Sequence, residues 1–395
     1  MYINKDALPQ ELQHLEIAKI LEMLTKYYEG TVIKTIINDY NLLCSSQKFT
    51  KLLPECYDPD VQCKYCKKPM IVKLASRGYK PDGNIRIESK WRCEDCNHIV
   101  GNFIRECKCS NCNNVIYDAL NENIALSIEN MKSEEDMEEL DFLTRIYISA
   151  LLRAGQDEYN QFLIHPKFIG LNKLAPSETF MRKIISSLKM DNWIRFSEQT
   201  GLNSFNVENG KLDSYYALKS TFELNLEADE EAISELLNPE IIFTENDYFD
   251  AMELWKDIAY YECLEYLYFK MEEYRLPDNI GPKTENIIVE GLKYFSVSQM
   301  FNHIWAATKD AAAQSVKREI TKKHATNMIA GTLQRRIERS VAEKWDIKPY
   351  SRDFNLPQSI IADLLYNRIL QIGDKGFTAV PGSCHGAIKF YKMDE

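Results

Sequence analysis

Nothing in this chain of 395 residues reads as a membrane span, because no run of about 18 apolar residues occurs. The opening stretch, MYINKDALPQEL, lacks the basic flank and apolar core of a secretory signal, so the chain is expected to be cytoplasmic. The phosphate loop G-x4-G-K-[ST], the fingerprint G-x-G-x-x-G, the pair H-E-x-x-H and the elbow G-x-S-x-G are all missing. No fixed-period repeat is visible, which argues against a solenoid. An enzyme would have to rest on weaker constellations. Asp247, Asp250, Glu253 and Asp257 recur at helical spacing, as in carboxylate clusters that hold two metals in nucleases, but acidic residues so spaced usually form a solvated face. Ser383-Cys384-His385 lies between glycines and reads as a turn, since chain neighbours rarely aim at one another. His165, His303 and His324 have no recognisable partners, and Cys263 reads as a core residue. No catalytic residue is assigned.

What is present is cysteine, concentrated in one place. Eight of the 11 cysteines fall between Cys56 and Cys112. Cys63, Cys66, Cys93 and Cys96 form two C-x2-C pairs, and Cys107, Cys109 and Cys112 follow as C-x-C-x2-C. A C-x2-C pair sets two thiolates on one tight turn, and two such turns complete a tetrahedral shell around one cation. Clustered pairs in a chain without a secretory pattern point to metal in a reducing compartment rather than to disulfides. Four thiolates leave no open position, so the metal would hold shape and perform no chemistry. The trailing three cysteines need a fourth ligand, for which His98 and Cys56 are candidates; an interleaved arrangement with the first pair also fits. One or two Zn2+ per chain are expected. Strand-like stretches at Met70–Leu74 and Ile85–Glu88 surround a Pro-Asp-Gly turn, and with the two knuckles they resemble a zinc ribbon over about 40 residues.

Upstream, Leu12, Leu15, Ile17, Ile20, Leu21 and Leu24 recur at helical spacing up to Gly30. Ile33, Ile36, Ile37 and Tyr40 stripe a second helix. A third, capped by Ser45 or Ser46, would turn Phe49, Leu52 and Leu53 inward and end at Pro54. The order resembles a helix-turn-helix, with Gln47, Lys48, Thr50 and Lys51 on the outer face of its last helix. Three-helix packing without DNA binding would look the same. In the cysteine segment, Arg77, Lys80, Arg86, Lys90, Arg92 and Arg105 lie beside Tyr79 and Trp91, a mixture suited to phosphates and stacked bases. Set against that, the aromatics could simply cover the metal while the arginines solvate the surface.

The net charge of −11 is unevenly spread. Residues 60–116 carry 11 Lys+Arg against 6 Asp+Glu, residues 117–300 carry 16 against 35, and residues 301–350 carry 10 against 5. An acidic middle between two basic zones excludes a uniform coat for nucleic acid but permits local contact at either end. In the second basic zone, Lys317, Arg318, Lys322, Lys323, Arg335, Arg336 and Arg339 read as a solvated helix face. The acidic run at 133–141 reads as a linker or the start of a helix.

Residues 141–225 show helices ending at Gly155 and starting at Ser177, then short strand-like runs with Asn209-Gly210, a hairpin signal, between the last two. This order resembles a winged helix. Residues 226–378 read as helical, with an aromatic-rich stretch from Asp247 to Tyr274. The expected fold class is mainly α and multidomain: a helix-turn-helix (1–55), a small β zinc ribbon (56–116), a linker helix with a winged-helix-like α+β segment (117–225), and a helical bundle (226–395). The expected function is zinc-dependent binding of nucleic acid, DNA before RNA, through Gln47, Lys48, Thr50, Lys51, Arg86, Lys90 and Arg92. The bundle would serve a homodimer or a protein partner. The rivals are an effector such as a nuclease in antiviral defence or a mobile element, and a non-catalytic scaffold.

Overall fold

The computed structural model describes residues 1–78, 81–101, 107, 109–157, 162–239, 244–317 and 320–383. About 53% is helical and 12% strand, so the chain is mainly α with small sheets. It divides into two compact units, Met1–Glu122 with Leu202–Tyr215, and Asn123–Gly201 with Tyr216–Glu395.

In the first unit, α1 (Ile17–Tyr28) and α2 (Ile33–Asp39) follow their apolar stripes. Gly30, at φ 101°, takes the left-handed conformation that ends α1. The third helix expected after Ser45 is corrected: only a single 3-10 turn, Phe49–Leu52, forms there. Pro54 disfavours α geometry at Leu53, and so short a segment cannot repay helix nucleation. Phe49, Leu52 and Leu53 are nevertheless buried, so the inward anchors hold while the element differs.

The sheet is antiparallel in the order β1 (Tyr2–Ile3), β2 (Glu55–Gln62), β3 (Pro69–Leu74), β4 (Ile87–Arg92) and β5 (Ile99–Val100). Its register produces two adjacent cross-strand rows. One runs Ile3, Cys56, Val72, Trp91, Val100; the other runs Tyr2, Tyr57, Ile71, Arg92, Ile99. Successive side chains along a strand point to opposite faces, so the rows mark the two faces of the sheet. Ile3, Cys56 and Val72 share a buried core with Ile20, Leu24, Tyr27, Tyr28 and Ile36. The helices and the sheet are therefore one structure, and the boundary expected at residue 55 lies inside their common core. Arg77 fastens the β3–β4 connection to α1, donating to the carbonyls of Tyr27 and Thr31 at 2.8 Å each.

Helix α3 (Ser110–Glu129) leads out of the first unit. In the second come α4 (Glu134–Glu138), α5 (Phe142–Gly155), β6 (Leu163–Ile164), α6 (Pro166–Leu171), α7 (Glu178–Met190) and β7 (Ile194–Phe196). A hairpin that groups with the first unit follows, β8 (Phe205–Glu208) and β9 (Lys211–Tyr215), and then β10 (Phe222–Leu224) in the second. β10 lies between β6 and β7 in an antiparallel three-stranded sheet. Asn209 and Gly210, at φ 52° and 79°, make the two-residue hairpin turn that their pairing in sequence announces. The acidic run resolves into caps: Ser133 and Asp136 form a capping box on α4, and Asp141 caps α5.

The remainder is helical: α8 (Glu230–Leu237), α9 (Glu245–Glu273), α10 (Pro282–Gly291), α11 (Val297–Lys317), α12 (Lys322–Ala342), α13 (Ile360–Asp363), a π-helical turn (Leu364–Ile369) and α14 (Lys375–Thr378). Helix α9 buries residues nearly all round, including Trp255, Ile258, Cys263 and Leu267. The Trp255 indole donates to the Gly376 carbonyl at 2.8 Å. Among the described residues, no helix is long and apolar enough to cross a membrane.

Candidate metal centres

The two C-x2-C pairs occupy equivalent turns at one end of the sheet. Cys63 and Cys66 lie between β2 and β3; Cys93 and Cys96 lie between β4 and β5. In the first turn, the Cys63 N–H donates to the Lys68 carbonyl and the Lys67 N–H to the Cys63 carbonyl, each at 2.8 Å. In the second, the Cys93 N–H donates to the His98 carbonyl at 2.8 Å. The residue after each second cysteine is left-handed, Lys67 at φ 59° and Asn97 at 55°. Sheet pairing brings the turns together, and all four sulfurs lie within 4.8 Å of one another. Cys63 Sγ and Cys96 Sγ are 3.6 Å apart. A tetrahedron with metal–sulfur bonds of about 2.3 Å has edges of about 3.8 Å, so a zinc-sized ion fits.

Electrostatics also favour a cation there. Hydrogen bonding to Cys96 first, then burial and the nearby Cys93, push the Cys66 thiol up to about 12. Thiols crowded like this resist ionising together unless a positive charge sits among them.

The second cluster joins His98 to Cys107, Cys109 and Cys112, all four buried. His98 Nδ1 stands 3.4, 3.8 and 3.3 Å from the three sulfurs in that order. Burial, then the charge of Lys64, lowers the His98 pKa and keeps the imidazole in the neutral form that ligates metal. Backbone N–H groups support two of the sulfurs: Ile99 donates to Cys107 at 3.2 Å, and Cys112 to Cys109 at 3.4 Å. Of the two candidate fourth ligands, His98 converges on the cluster. Cys56 lies in the helix-facing core, where burial pushes its thiol up to about 11. The interleaved arrangement does not occur. Each cluster offers four protein donors and no open place, which suits a structural ion.

Tyr65 was not singled out from the sequence, yet it touches both centres. It sits inside the first turn, between Cys63 and Cys66. Its hydroxyl is 3.6 Å from Cys112 Sγ, and its ring meets His98 edge-on at 4.9 Å. Only the tertiary arrangement reveals this link.

The expected nucleic-acid contacts are spread more widely. Gln47, Lys48 and Lys51 are exposed and Thr50 is half-buried, but around a 3-10 turn they do not share an α-helical face. Residues 81–90 are exposed throughout, Arg86 and Lys90 included, and Arg86 pairs with Asp82 at 3.3 Å. Arg92 lies across the sheet from Glu55, at 3.5 Å. Arg77 is a structural tether, stacked over Tyr27 at 4.9 Å. Trp91 packs between the helix-facing core and the first cluster. Tyr79, Lys80, Arg105, Arg318, Cys384 and His385 lie outside the described residues.

Of Asp247, Asp250, Glu253 and Asp257 on α9, three have separate duties. Asp247 caps the helix with Thr244, Glu253 pairs with Lys256 at 2.6 Å, and Asp257 pairs with Lys183 at 2.7 Å. Burial raises the pKa of Asp250, with Asp141 and Asp247 adding to the effect. Among the described residues, the two cysteine clusters are the groups able to hold a metal ion. Compared with protein-family models, with curated proteins and with solved structures, the chain matches none.

Proposed function

We propose that this is a nucleic-acid-binding protein, DNA before RNA, whose first unit is held in shape by two Zn2+ ions. The observation that carries the reading is the pair of closed four-donor clusters at one end of a sheet built largely from the cation-rich stretch 60–116. Thiolate-rich tetrahedral sets favour zinc among common divalent ions. The donors clamp the turns, and the chain between them presents Arg86, Lys90 and Arg92, with Gln47, Lys48, Thr50 and Lys51 on the segment before β2. Phosphate contacts would supply affinity.

The named modules follow as part of this reading. The knuckles and the β3–β4 hairpin support a zinc ribbon. The order helix, strand, two helices, strand, strand, with β10 between its partners, supports a winged-helix-like segment within 141–225, from which the hairpin 202–215 is set apart because it groups with the first unit. On α7, however, Arg182 pairs with Glu178 at 2.8 Å and Lys183 with Asp257 at 2.7 Å. Nucleic-acid contact is assigned to the first unit on its excess of cations, 11 against 6 over residues 60–116, since ion pairs engage Arg86 and Arg92 as well. The separate duties of Asp247, Glu253 and Asp257 lend a nuclease no support.

A second reading concerns the helical unit alone. A groove of about 750 Å3 between α10 and α12, lined by Ile287, Tyr294, Ile337 and Val341, supports a role in holding a protein partner or a second copy.

The test is a mobility shift on the full, zinc-loaded chain with duplex DNA, single-stranded DNA and RNA at two salt concentrations. Binding that weakens with salt, and further with Lys48→Ala or Arg92→Ala, supports the reading. No shift with any nucleic acid overturns it.

A further inference from the structure

The sheet of the first unit has one face packed on helices and another whose composition is unusual for a solvated surface. The outer row begins with Tyr2 and Tyr57, whose rings stack at 5.6 Å with an interplanar angle of 26°. Tyr2 is 59% exposed. Ile71 follows, buried between its row neighbours, and then Arg92, whose side chain is 43% exposed. On the same face Lys73 sits opposite Glu55 in the neighbouring strand. An ordinary outer face would carry polar residues at these places. Here a pair of stacked rings and a guanidinium lie in one row, with Ile71 buried in the strand between them.

We propose that this face binds single-stranded nucleic acid, with unpaired bases stacking on Tyr2 and Tyr57 and the backbone passing Arg92 and Lys73. The proposal rests on the nucleic-acid reading given above and names the form of the ligand. Three considerations select it. Arg92 and Lys73 place two cations on this face, a complement to phosphate, with Glu55 beside them. Flat rings accept any base, and exposed aromatics beside basic side chains are how proteins hold unpaired strands. The segment expected to enter a duplex groove from residues 46–53 is a 3-10 turn and offers no recognition helix. Glu55 restrains the site: it holds Arg92 in the row, and a phosphate would have to compete with it for the guanidinium.

The experiment is fluorescence anisotropy on the full, zinc-loaded chain with a labelled 12-residue oligothymidine, an abasic strand of the same length and a 12-base-pair duplex. The single strand is expected to bind, and the abasic strand to bind about ten-fold more weakly, because it keeps the phosphates and loses the bases. Tyr57→Ala should weaken oligothymidine binding about ten-fold, while Tyr57→Phe keeps the ring and the affinity. Tyr2→Ala, at an exposed edge, provides a second variant should Tyr57→Ala lose its zinc or its fold. Equal affinity for the abasic strand, or binding indifferent to both alanine variants, overturns the stacking surface. If the duplex still binds in that case, the broader reading stands without it. If neither strand nor duplex binds, the broader reading itself is lost.

Discussion

The two units spend their residues differently. Between Cys63 and Cys112 the first devotes seven cysteines and a histidine to two clusters, and the apolar groups packed there are few: Met70, Val61 and Trp91 beside one, Ile99 beside the other, with Tyr65 serving both. The second unit assembles α9, α10, α11 and α12 around a single apolar cluster that includes Leu267, Met271, Phe301, Ile304 and Leu333. A stretch too small to bury an adequate core needs cross-links of another kind, whereas long helices can bury enough side chains unaided. One unit should accordingly answer to chelators, and the other to cavities.

The sharpest break in that contrast is metal removal. Elemental analysis should find two zinc ions per chain. Structural zinc sites are worth about 10–16 kcal/mol in small peptides, so stripping both should unfold the turns and β2–β5. Hydrogen exchange should then show lost protection across residues 55–112 and unchanged protection in α9, α11 and α12. A single equivalent of zinc, or a loss shared by both units, would erase the distinction.

The reciprocal change is Trp255→Ala. It removes a fully buried indole together with its hydrogen bond to Gly376. The expected cost is about 3–5 kcal/mol, read as a lower melting midpoint for the helical unit. Zinc content should stay at two.

Within the first unit, Tyr65→Ala tests how independent the clusters are. Groups that support metal ligands typically change affinity 10–100-fold, so the His98 centre should weaken by about that factor. The four-cysteine centre should hold its metal, although Tyr65 lies in its own turn. Cobalt substitution separates the two by their spectra. Equal weakening of both would mean that the tyrosine merely supports the turn.

The smallest effect concerns pH and the second unit. His303 is fully buried on α11, and burial, followed by the charge of Arg336, lowers its pKa from 6.5 to about 4. Above pH 6.5 both folded and unfolded chains carry it neutral, and it adds no pH dependence. Between 6.5 and 4 the unfolded chain takes up a proton that the folded one refuses, so stability declines as pH falls. The slope is at most about 1.4 kcal/mol per pH unit. His303→Phe should flatten that part of the stability profile, measured on α11 by hydrogen exchange.

Features set by local geometry were legible in the sequence. Each C-x2-C pair is one turn, Asn209-Gly210 is one hairpin, and the apolar stripes of α1, α5 and α7 are single helices. Features set by long-range pairing were not. Tyr2 and Ile3 form a strand only because β2 arrives more than 50 residues later, and nothing near them announces it. Arg77 looks like a surface cation until α1 offers it two carbonyls. The segment around Phe49 misleads because inward apolar residues at 49, 52 and 53 suit an α-helix and a 3-10 turn alike; only the constraint from Pro54 separates them. His98 was half legible, since its place beside Cys96 marks it as a candidate while its ring direction depends on cysteines 9–14 residues further on.

The hairpin of residues 202–215 groups with the first unit, although the chain immediately before and after it belongs to the second. The amino-terminal unit is thus not a continuous stretch of polypeptide. A fragment ending near residue 122 would leave the ribosome with both metal turns complete and still lack a piece of itself. During synthesis that piece arrives only after helices α4 to α7 and strands β6 and β7 have been made. Assembly of the first unit must stay open until then, and a truncation planned as a domain boundary would test an unfinished object.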